Sequence, residues 1–277
     1  CFSPHPDDDV ISMGGMLRKL VENGNEIVVA YQTSGNIAVF DHDVLRYVDL
    51  LERLAREGML DREEVQPLAG RVRDFLAAKA PGQVDLEEVQ DLKRLIREAE
   101  AVSGIETLGL SARNARFLDL PFYQTGKVRK DPITAADVEI VRKLLDEVQP
   151  EIVFAAGDLS DPHGTHRMCL EAVERALDLA YPGTGRARPE LWLYRGAWQE
   201  WPVTEATWLV PLSQEELKLK IRAIFKHQSQ KDSAPFPGGH DEREFWQRVE
   251  ARNKETAALL DRLGLAEYFA MEAYVVR

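Results

Sequence analysis

Short apolar runs alternate with segments of helical periodicity along most of the chain. Apolar residues recur at helical spacing over 13–21, Asn23-Gly24-Asn25 ends that segment, and the continuous apolar run 27–31 follows. A continuous apolar run of this length is typical of a parallel strand that is covered on both faces. We expect further strands at 116–120, 151–155, 191–194, 207–210 and 268–276. This order predicts a three-layer α/β/α fold with a mainly parallel, Rossmann-like sheet.

Residues 43–110 differ from the rest of the chain because charged helical repeats replace the strands. Leucine and valine recur at helical spacing there, and breakers such as Gly58 and Pro81-Gly82 separate the repeats. This pattern predicts a helical insertion with a solvated, charged face. We therefore expect one domain over 1–277 that contains this insertion.

The charge balance and the cysteine count exclude several classes of protein. Lys+Arg 35 against Asp+Glu 47 gives a formal net charge of −12, and a surface this acidic repels the phosphate backbone of nucleic acids. No apolar run approaches the roughly 18 to 20 residues that a bilayer span needs. Cys1 and Cys169 are too few for a disulfide framework. We expect a cytoplasmic protein that binds neither nucleic acid nor membrane; the oligomeric state, including a homo-oligomer, stays open.

The segment Pro4-His5-Pro6-Asp7-Asp8-Asp9 places one imidazole and three carboxylates between a predicted strand and a predicted helix. In open α/β sheets, ligands bind at the carboxyl ends of the strands, where this turn lies. Three adjacent carboxylates repel one another, and a divalent cation relieves that repulsion. The alternative interpretation is an acidic helix N-terminus that the helix dipole stabilises.

A second segment, Asp161-Pro162-His163-Gly164-Thr165-His166, follows the predicted strand 151–155 and precedes a helix. His163 and His166 are three residues apart, so at a helix start they project to the same side. Either histidine taken alone is also consistent with an unrelated surface residue. However, three of the six histidines lie in these two turns, which open on the same edge of one sheet. His, Asp and His with an open position are typical of a catalytic site for zinc or a similar ion.

These residues resemble a known family. The His-Pro-Asp-Asp turn, the Thr33-Ser34-Gly35 loop after the next strand and the later His-x-x-His turn are similar to those of the LmbE-like, or PIG-L, de-N-acetylases. Members of this family are metal-dependent hydrolases that act mostly on N-acetylglucosamine-containing substrates. The resemblance extends to the segments 117–121 and 226–230. It implies removal of an acetyl group from an N-acetylated aminosugar or its conjugate.

The resemblance also implies a role for each residue of the two turns. It implies that His5, Asp8 and His166 hold Zn²⁺ or another divalent transition metal. Asp7 is then the general base, and His163 stabilises the oxyanion or protonates the leaving amine.

Two positions depart from the family's usual pattern. Asp9 stands where the first motif usually ends in Glu, which keeps the charge. Thr165 stands where the second motif usually has Asp or Asn, so it cannot supply the charge that would orient His163.

A narrower resemblance joins the segments 30–36 and 161–166 to the C-terminal domain that is fused behind a glucosamine-6-phosphate-deaminase-like domain. It implies a place in aminosugar metabolism and a small-molecule substrate. The first strand also reaches the polar turn within a few residues of Cys1. We therefore expect the chain to be a fragment of a longer polypeptide with an N-terminal deaminase-like domain.

Two further residues are candidates for contact with the substrate. Asn36 follows the glycine loop and is placed to bind a sugar hydroxyl, although a loop asparagine needs no such role. His227 follows an amphipathic helix, and we expect it either in the pocket or as a favourable charge at that helix's C-terminus.

Two other functions compete with the amide hydrolase. The aspartates would also serve a Mg²⁺-dependent phosphoesterase, which would prefer hard cations and would not need the imidazoles. A non-catalytic domain that uses its metal to bind sugar or to regulate a fused partner is the other alternative, and Thr165 keeps it open.

Overall fold

Strands and helices alternate in the computed structural model, which describes residues 1–127, 130–158, 164–196, 199–230 and 243–277. The strands are β1 Phe2–Ser3, β2 Val29–Tyr31, β3 Ala115–Phe117, β4 Ile152–Ala156, β5 Glu190–Tyr194, β6 Trp208–Leu212 and β7 Ala270–Val276. The helices are α1 Asp8–Glu22, α2 Asp41–Arg56, α3 Arg62–Ala78, α4 Glu87–Thr107, α5 Ala135–Val148, α6 Thr165–Ala180, α7 Gln214–Ile224 and α8 Phe245–Arg262. The predicted strands are confirmed, with their ends displaced by a few residues.

The sheet is mainly parallel, as predicted. β1, β2 and β3 form one parallel group in that order, with Phe2 opposite Ala30. The second group has the order β4-β5-β7-β6, in which β7 runs antiparallel to both of its neighbours. β1 packs beside β4, so the two groups lie edge to edge. The strand order therefore reverses its direction between β1 and β4, which is where open α/β sheets bind ligands.

Helices cover both faces of the sheet. Phe154 and Ala156 of β4 pack into a core with residues of α1, α4, α7 and α8, whereas Val153 and Ala155 pack into a second core with α5 and α6. Alternate residues of a strand point to opposite faces, so the two cores lie on opposite sides of the sheet. The three-layer α/β/α fold is confirmed. Within the described ranges, no helix combines the length and apolar character that a membrane span requires.

The predicted insertion consists of α2, α3 and α4. These helices share a small core of their own, formed by Val44, Val48, Ala69, Val72 and Val89. Helix α4 has a charged face in solvent, where Glu87 and Asp91 are exposed. It also buries Lys93, Arg97 and Glu100. The insertion therefore contributes charged groups to the interior of the protein.

Helix α1 is kinked directly after the turn that contains the three aspartates. Met13 has non-helical dihedral angles (φ −132°, ψ 25°), and the backbone N–H groups of Gly15 and Met16 donate to the two carboxylate oxygens of Glu272, at 2.9 and 2.8 Å. Glu272 lies on β7, so a side chain of the sheet accepts hydrogen bonds from two N–H groups just after the kink in α1. This contact holds α1 in place relative to the sheet.

A buried lysine balances the charge of that carboxylate. Lys220 Nζ lies 2.6 Å from Glu272 Oε1, and it also donates to Asn253 Oδ1 at 3.0 Å. The hydroxyl of Tyr274 donates to Glu272 Oε2 at 2.8 Å. We call these four residues the Lys220–Glu272 cluster; both of its charged side chains are fully buried.

Candidate metal centre

The first polar turn and the start of α6 lie at the carboxyl ends of β1 and β4. The first turn follows β1 directly, and its backbone is held by the Thr33 hydroxyl, which donates to the Pro4 carbonyl at 2.7 Å. The second turn leads into α6, whose first residue follows Gly164, a left-handed residue (φ 70°). Because β1 and β4 are neighbours, His166 at the start of α6 lies close to the side chains of the first turn.

His5, Asp8 and His166 come together there. Asp8 Oδ2 lies 3.1 Å from His5 Nδ1 and 3.2 Å from His166 Nε2, and one ligand atom from each residue lies within 4.8 Å of the others. Asp8 and His166 are buried, whereas His5 is partly exposed. Three protein ligands of this kind, with one partly exposed, suit a catalytic metal site with an open position.

The surroundings prepare these side chains to bind a cation. His166 Nδ1 lies 3.1 Å from the backbone carbonyl of Asp158, so the tautomer that carries its proton on Nδ1 donates to this carbonyl and presents Nε2 to Asp8 as a ligand atom. Burial raises the pKa of Asp8, but the nearby imidazoles of His166 and His5 outweigh burial and hold this pKa well below its ordinary value. Asp8 is therefore ionised, as a metal ligand must be.

Asp7 points to a different partner. Its Oδ2 lies 3.1 Å from Arg97 Nη2, and both side chains are largely buried. Arg97 Nε and Nη1 are buried and have no hydrogen-bond partner among the described residues. The approach of Arg97 requires a glycine at position 35, since a Cβ there would meet Pro6 Cδ at 2.9 Å and Arg97 Nε at 3.0 Å, at a φ of +62°.

Arg97 is the functional candidate that sequence reasoning missed. A signal existed in the pattern, because Lys93, Arg97 and Glu100 recur at helical spacing together with Val89, Ala101 and other buried apolar residues of α4. Charged residues within the apolar stripe of a helix indicate a buried polar site rather than a solvated face.

The third aspartate of the turn has a structural environment. The backbone N–H of Asp9 donates to Ser3 Oγ at 3.1 Å, and the Tyr31 hydroxyl donates to Asp9 Oδ2 at 3.1 Å. Burial raises the pKa of Asp9 to about 7. Asp9 does not belong to the group formed by His5, Asp8 and His166. Its hydrogen bonds to Ser3 and Tyr31 hold the turn to β1 and β2.

Asn36 and His227, the two predicted substrate contacts, are both buried. Asn36 directly follows Gly35, and its Oδ1 has no hydrogen-bond partner within the described ranges. His227 lines a partly open cleft together with Asp7, Phe225 and Trp246. Burial lowers the pKa of His227 to about 4, so its ring is neutral near pH 7. Neither residue belongs to the group that surrounds Asp8.

His163, for which a catalytic role is predicted, belongs to the stretch 159–163, which lies outside the described residues. Thr165, in contrast, is described at the start of α6. It is buried, and its hydroxyl oxygen has no hydrogen-bond partner in the described part of the chain.

Comparisons with known proteins agree on the fold. The chain is 50% identical, over 279 residues, to a putative glucosamine-6-phosphate deaminase-like protein of Bacteroides thetaiotaomicron. The matched region covers 99% of this chain and 42% of the relative. The chain thus spans less than half the length of that relative. The N,N′-diacetylchitobiose deacetylase from Pyrococcus horikoshii is similar with a TM-score of 0.60 at 19% identity, over 100% of this chain and 82% of that chain.

GalB, the 4-carboxy-2-hydroxymuconate hydratase from Pseudomonas putida KT2440, is similar to nearly the same extent. Its TM-score is 0.59 at 16% identity, over 100% of this chain and 93% of that chain. A deacetylase and a hydratase therefore share this fold, and only the site distinguishes their reactions.

The family itself is shown by the sequence. The profile of the PIG-L family, described as GlcNAc-PI de-N-acetylase, matches residues 1–177. This stretch contains both polar turns, the three candidate ligands and Arg97, whereas α7, α8 and β7 lie beyond it. The chain belongs to the PIG-L family.

Proposed function

We propose that this chain is a metal-dependent amide hydrolase that removes the acetyl group from an N-acetylated aminosugar or its conjugate. The convergence of His5, Asp8 and His166 beside the paired carboxylate of Asp7 is the observation that carries the proposal. The family's description as a de-N-acetylase and the relative's name as a glucosamine-6-phosphate deaminase-like protein support an aminosugar substrate.

The donor set fits zinc or another divalent transition metal. Two imidazole nitrogens and one carboxylate oxygen suit these ions, whereas Mg²⁺ prefers oxygen ligands and keeps several waters. This preference argues against the Mg²⁺-dependent phosphoesterase. A divalent ion held there supplies a Lewis acid and lowers the pKa of the water that it binds.

Asp7 is the proposed general base. Arg97 binds Asp7 Oδ2 and restricts the orientation of the carboxylate, which leaves Oδ1 for a proton of the attacking water. The water oxygen then bonds to the acetyl carbonyl carbon, the carbon–nitrogen bond breaks, and the amine leaves with a proton. We propose that His163 stabilises the negative charge that develops on the carbonyl oxygen or supplies that proton.

Asn36 and His227 are the proposed substrate contacts. The unpartnered amide oxygen of Asn36 supports a hydrogen bond from a sugar hydroxyl, because a buried acceptor without a donor costs free energy. His227 is neutral near pH 7 and shares its cleft with Asp7, which supports a polar contact to the substrate without a positive charge.

The organisation of the whole protein is also a proposal. We propose that residues 1–277 form one catalytic domain that works beside a deaminase-like domain, since the named relative is more than twice as long as this chain. The competing candidate is a non-catalytic metal-containing domain that binds sugar for such a partner. Thr165 supports it, because a threonine has no negative charge with which to orient His163 and favour its protonated form.

Acetate release tests the proposal directly. The metal-loaded protein is incubated with N-acetylglucosamine and diacetylchitobiose, beside Asp7→Asn and the control variant Asp43→Asn, which removes a buried carboxylate on α2. We expect Asp7→Asn to lower turnover by ~10²–10⁴-fold at unchanged metal content, because it removes the base, and we expect Asp43→Asn to keep it. Full turnover by Asp7→Asn would remove Asp7 from this role. Sugar binding without acetate release would favour the non-catalytic domain.

A further inference from the structure

Lys130 is a buried lysine in the loop between β3 and α5. Only 9% of its surface is exposed, and its ammonium donates to the backbone carbonyl of Lys127 at 2.9 Å. The ammonium also lies 3.5 Å from the centre of the Tyr123 ring, which gives a cation–π contact. These contacts use part of its hydrogen-bonding capacity, since an ammonium has three donors.

The other buried lysines show what Lys130 lacks. Lys93 lies 2.7 Å from a carboxylate oxygen of Asp41 and 2.8 Å from one of Asp85, and Lys220 lies 2.6 Å from Glu272. Lys130 has no carboxylate within 4 Å among the described residues. Burial lowers its pKa to about 8, so it still carries its charge near pH 7. A buried cation without an anion is costly, and an anion from outside would relieve that cost.

Tyr123 connects this lysine to the candidate metal centre. The Tyr123 ring meets the His5 ring edge to face, with the ring centroids 6.0 Å apart. Lys130 contacts the same ring, so one aromatic side chain separates its ammonium from a proposed metal ligand. The charge of Arg97 also acts on the Tyr123 hydroxyl and lowers its pKa against the larger opposing effect of burial. Two cations therefore lie around this end of the site.

We propose that Lys130 binds an anionic group, a phosphate or a carboxylate, on the substrate of the site described above. The inference rests on the proposed function, since it specifies which N-acetylated aminosugars the site prefers. The net charge of −12 repels anions over most of the surface, so a local cation decides whether an anionic substrate is held. An ammonium that donates to a charged oxygen makes a strong hydrogen bond.

The test compares substrates that share one sugar and differ in the group at carbon 6. N-acetylglucosamine, its 6-phosphate and the corresponding 6-carboxylate are given to the metal-loaded protein and to Lys130→Met, Lys130→Arg and Lys127→Met. Lys127→Met is the matched control, because Lys127 is an exposed lysine of the same loop. We expect Lys130→Met to lower kcat/KM for the anionic substrates by about 10- to 100-fold relative to the neutral one. Lys127→Met should leave this ratio unchanged, and Lys130→Arg should largely keep it.

The substrate pair also identifies the anion. If Lys130→Met affects the 6-phosphate more than the 6-carboxylate, the group is a phosphate, and the reverse order indicates a carboxylate. An equal effect of Lys130→Met on all three substrates, or no effect on any, would overturn the proposal.

A binding measurement keeps this inference separate from the proposed function. Calorimetry on the Asp7→Asn variant compares its affinity for N-acetylglucosamine and for the 6-phosphate, with and without Lys130→Met. We expect the same 10- to 100-fold loss of preference even where no acetate is released. No acetate release by the unchanged protein, with this preference intact, would contradict the proposed hydrolase alone. An unchanged preference in Lys130→Met would contradict the role of Lys130.

Discussion

Two buried charged clusters share helix α1, and they differ in whether their members satisfy one another. In the Lys220–Glu272 cluster, the lysine donates to the Ser12 carbonyl, Asn253 and Glu272, and the glutamate also accepts from Tyr274 and two backbone N–H groups. Around Asp8, three ligand atoms instead converge within 4.8 Å, and two nitrogens of nearby Arg97 have no partner in the described ranges.

This difference separates a contribution to the fold from a contribution to function. Buried polar groups in proteins are almost always hydrogen-bonded, and a complete network rigidifies the interior. The Lys220–Glu272 cluster is complete, so it needs nothing more than the chain to be stable. The cluster around Asp8 has spare ligand atoms and spare donors, which fits the proposed binding of an ion and a substrate. Stability and activity should therefore respond to different substitutions.

The largest effect is expected from Lys220→Met. Removing the ammonium leaves Glu272 as a buried carboxylate without its counter-charge, which should lower the free energy of unfolding by about 3–5 kcal/mol. Urea denaturation measures this loss. Turnover per folded molecule should stay near that of the unchanged protein, because the four residues of the cluster belong neither to the candidate metal group nor to the cleft that Asp7 and His227 line.

The matched variant on the other side of the comparison is Asp7→Asn, which should lose turnover. It should lower the free energy of unfolding less than Lys220→Met does, because the asparagine amide oxygen can still accept from Arg97 and the Glu100 carboxyl group also lies near that cation. The double variant Lys220→Met/Glu272→Gln should recover part of the stability, since no uncompensated charge stays buried. A stable Lys220→Met protein, or an Asp7→Asn protein that unfolds as easily as Lys220→Met, would contradict the separation.

A smaller effect is expected where Gly15 meets the Lys220–Glu272 cluster. A Cβ at Gly15 would lie 2.4 Å from Leu212 Cδ2 and 3.0 Å from Glu272 Oε1, so Gly15→Ala should cost about 1–3 kcal/mol through overpacking. Gly70 in α3 has open space around it, and Gly70→Ala should instead stabilise the protein by about 0.5–1 kcal/mol. Thermal unfolding of both variants checks the difference, and equal melting temperatures would contradict it.

The smallest effect concerns Glu200, which lies close enough to Lys220 and Glu272 to be influenced by their charges. Burial raises the pKa of Glu200 from 4.5 to about 7. The folded protein therefore holds a proton that the unfolded chain releases, and the free energy of unfolding falls as the pH rises from 4.5 to 7. Glu200→Gln should flatten this fall by on the order of 1 kcal/mol. The prediction is wrong if the free energy of unfolding changes with pH to the same extent in Glu200→Gln and in the unchanged protein.

The sequence predicted the parts of the site that lie in turns after strands. The pairing of a His-Pro-Asp-Asp turn with a His-x-x-His turn predicts a common location, because the carboxyl ends of parallel strands meet at one sheet edge. The structure brings His5, Asp8 and His166 together there. The roles of Asp7, His163, Asn36 and His227 stay predictions.

The groups that the sequence did not reveal come from elements that meet the site or α1 only in the folded protein. Arg97 belongs to α4, whose charged repeats indicated a solvated helix, and Lys220 lies in the apolar stripe of α7 between Leu217 and Ile224. In each case a charged residue within an apolar stripe was the available signal. Which partner each charge meets depends on tertiary packing, which the periodicity of a single helix does not contain.

Metal stoichiometry tests the central claim most directly. The metal-stripped protein is titrated with Zn²⁺ by calorimetry, beside His166→Ala and the control His42→Ala, which removes an exposed histidine outside the site. We predict about one tightly bound ion per chain for the unchanged protein and for His42→Ala, and loss of that tight site in His166→Ala. Binding by His166→Ala that equals that of the unchanged protein, or no tight binding by either, would contradict the account.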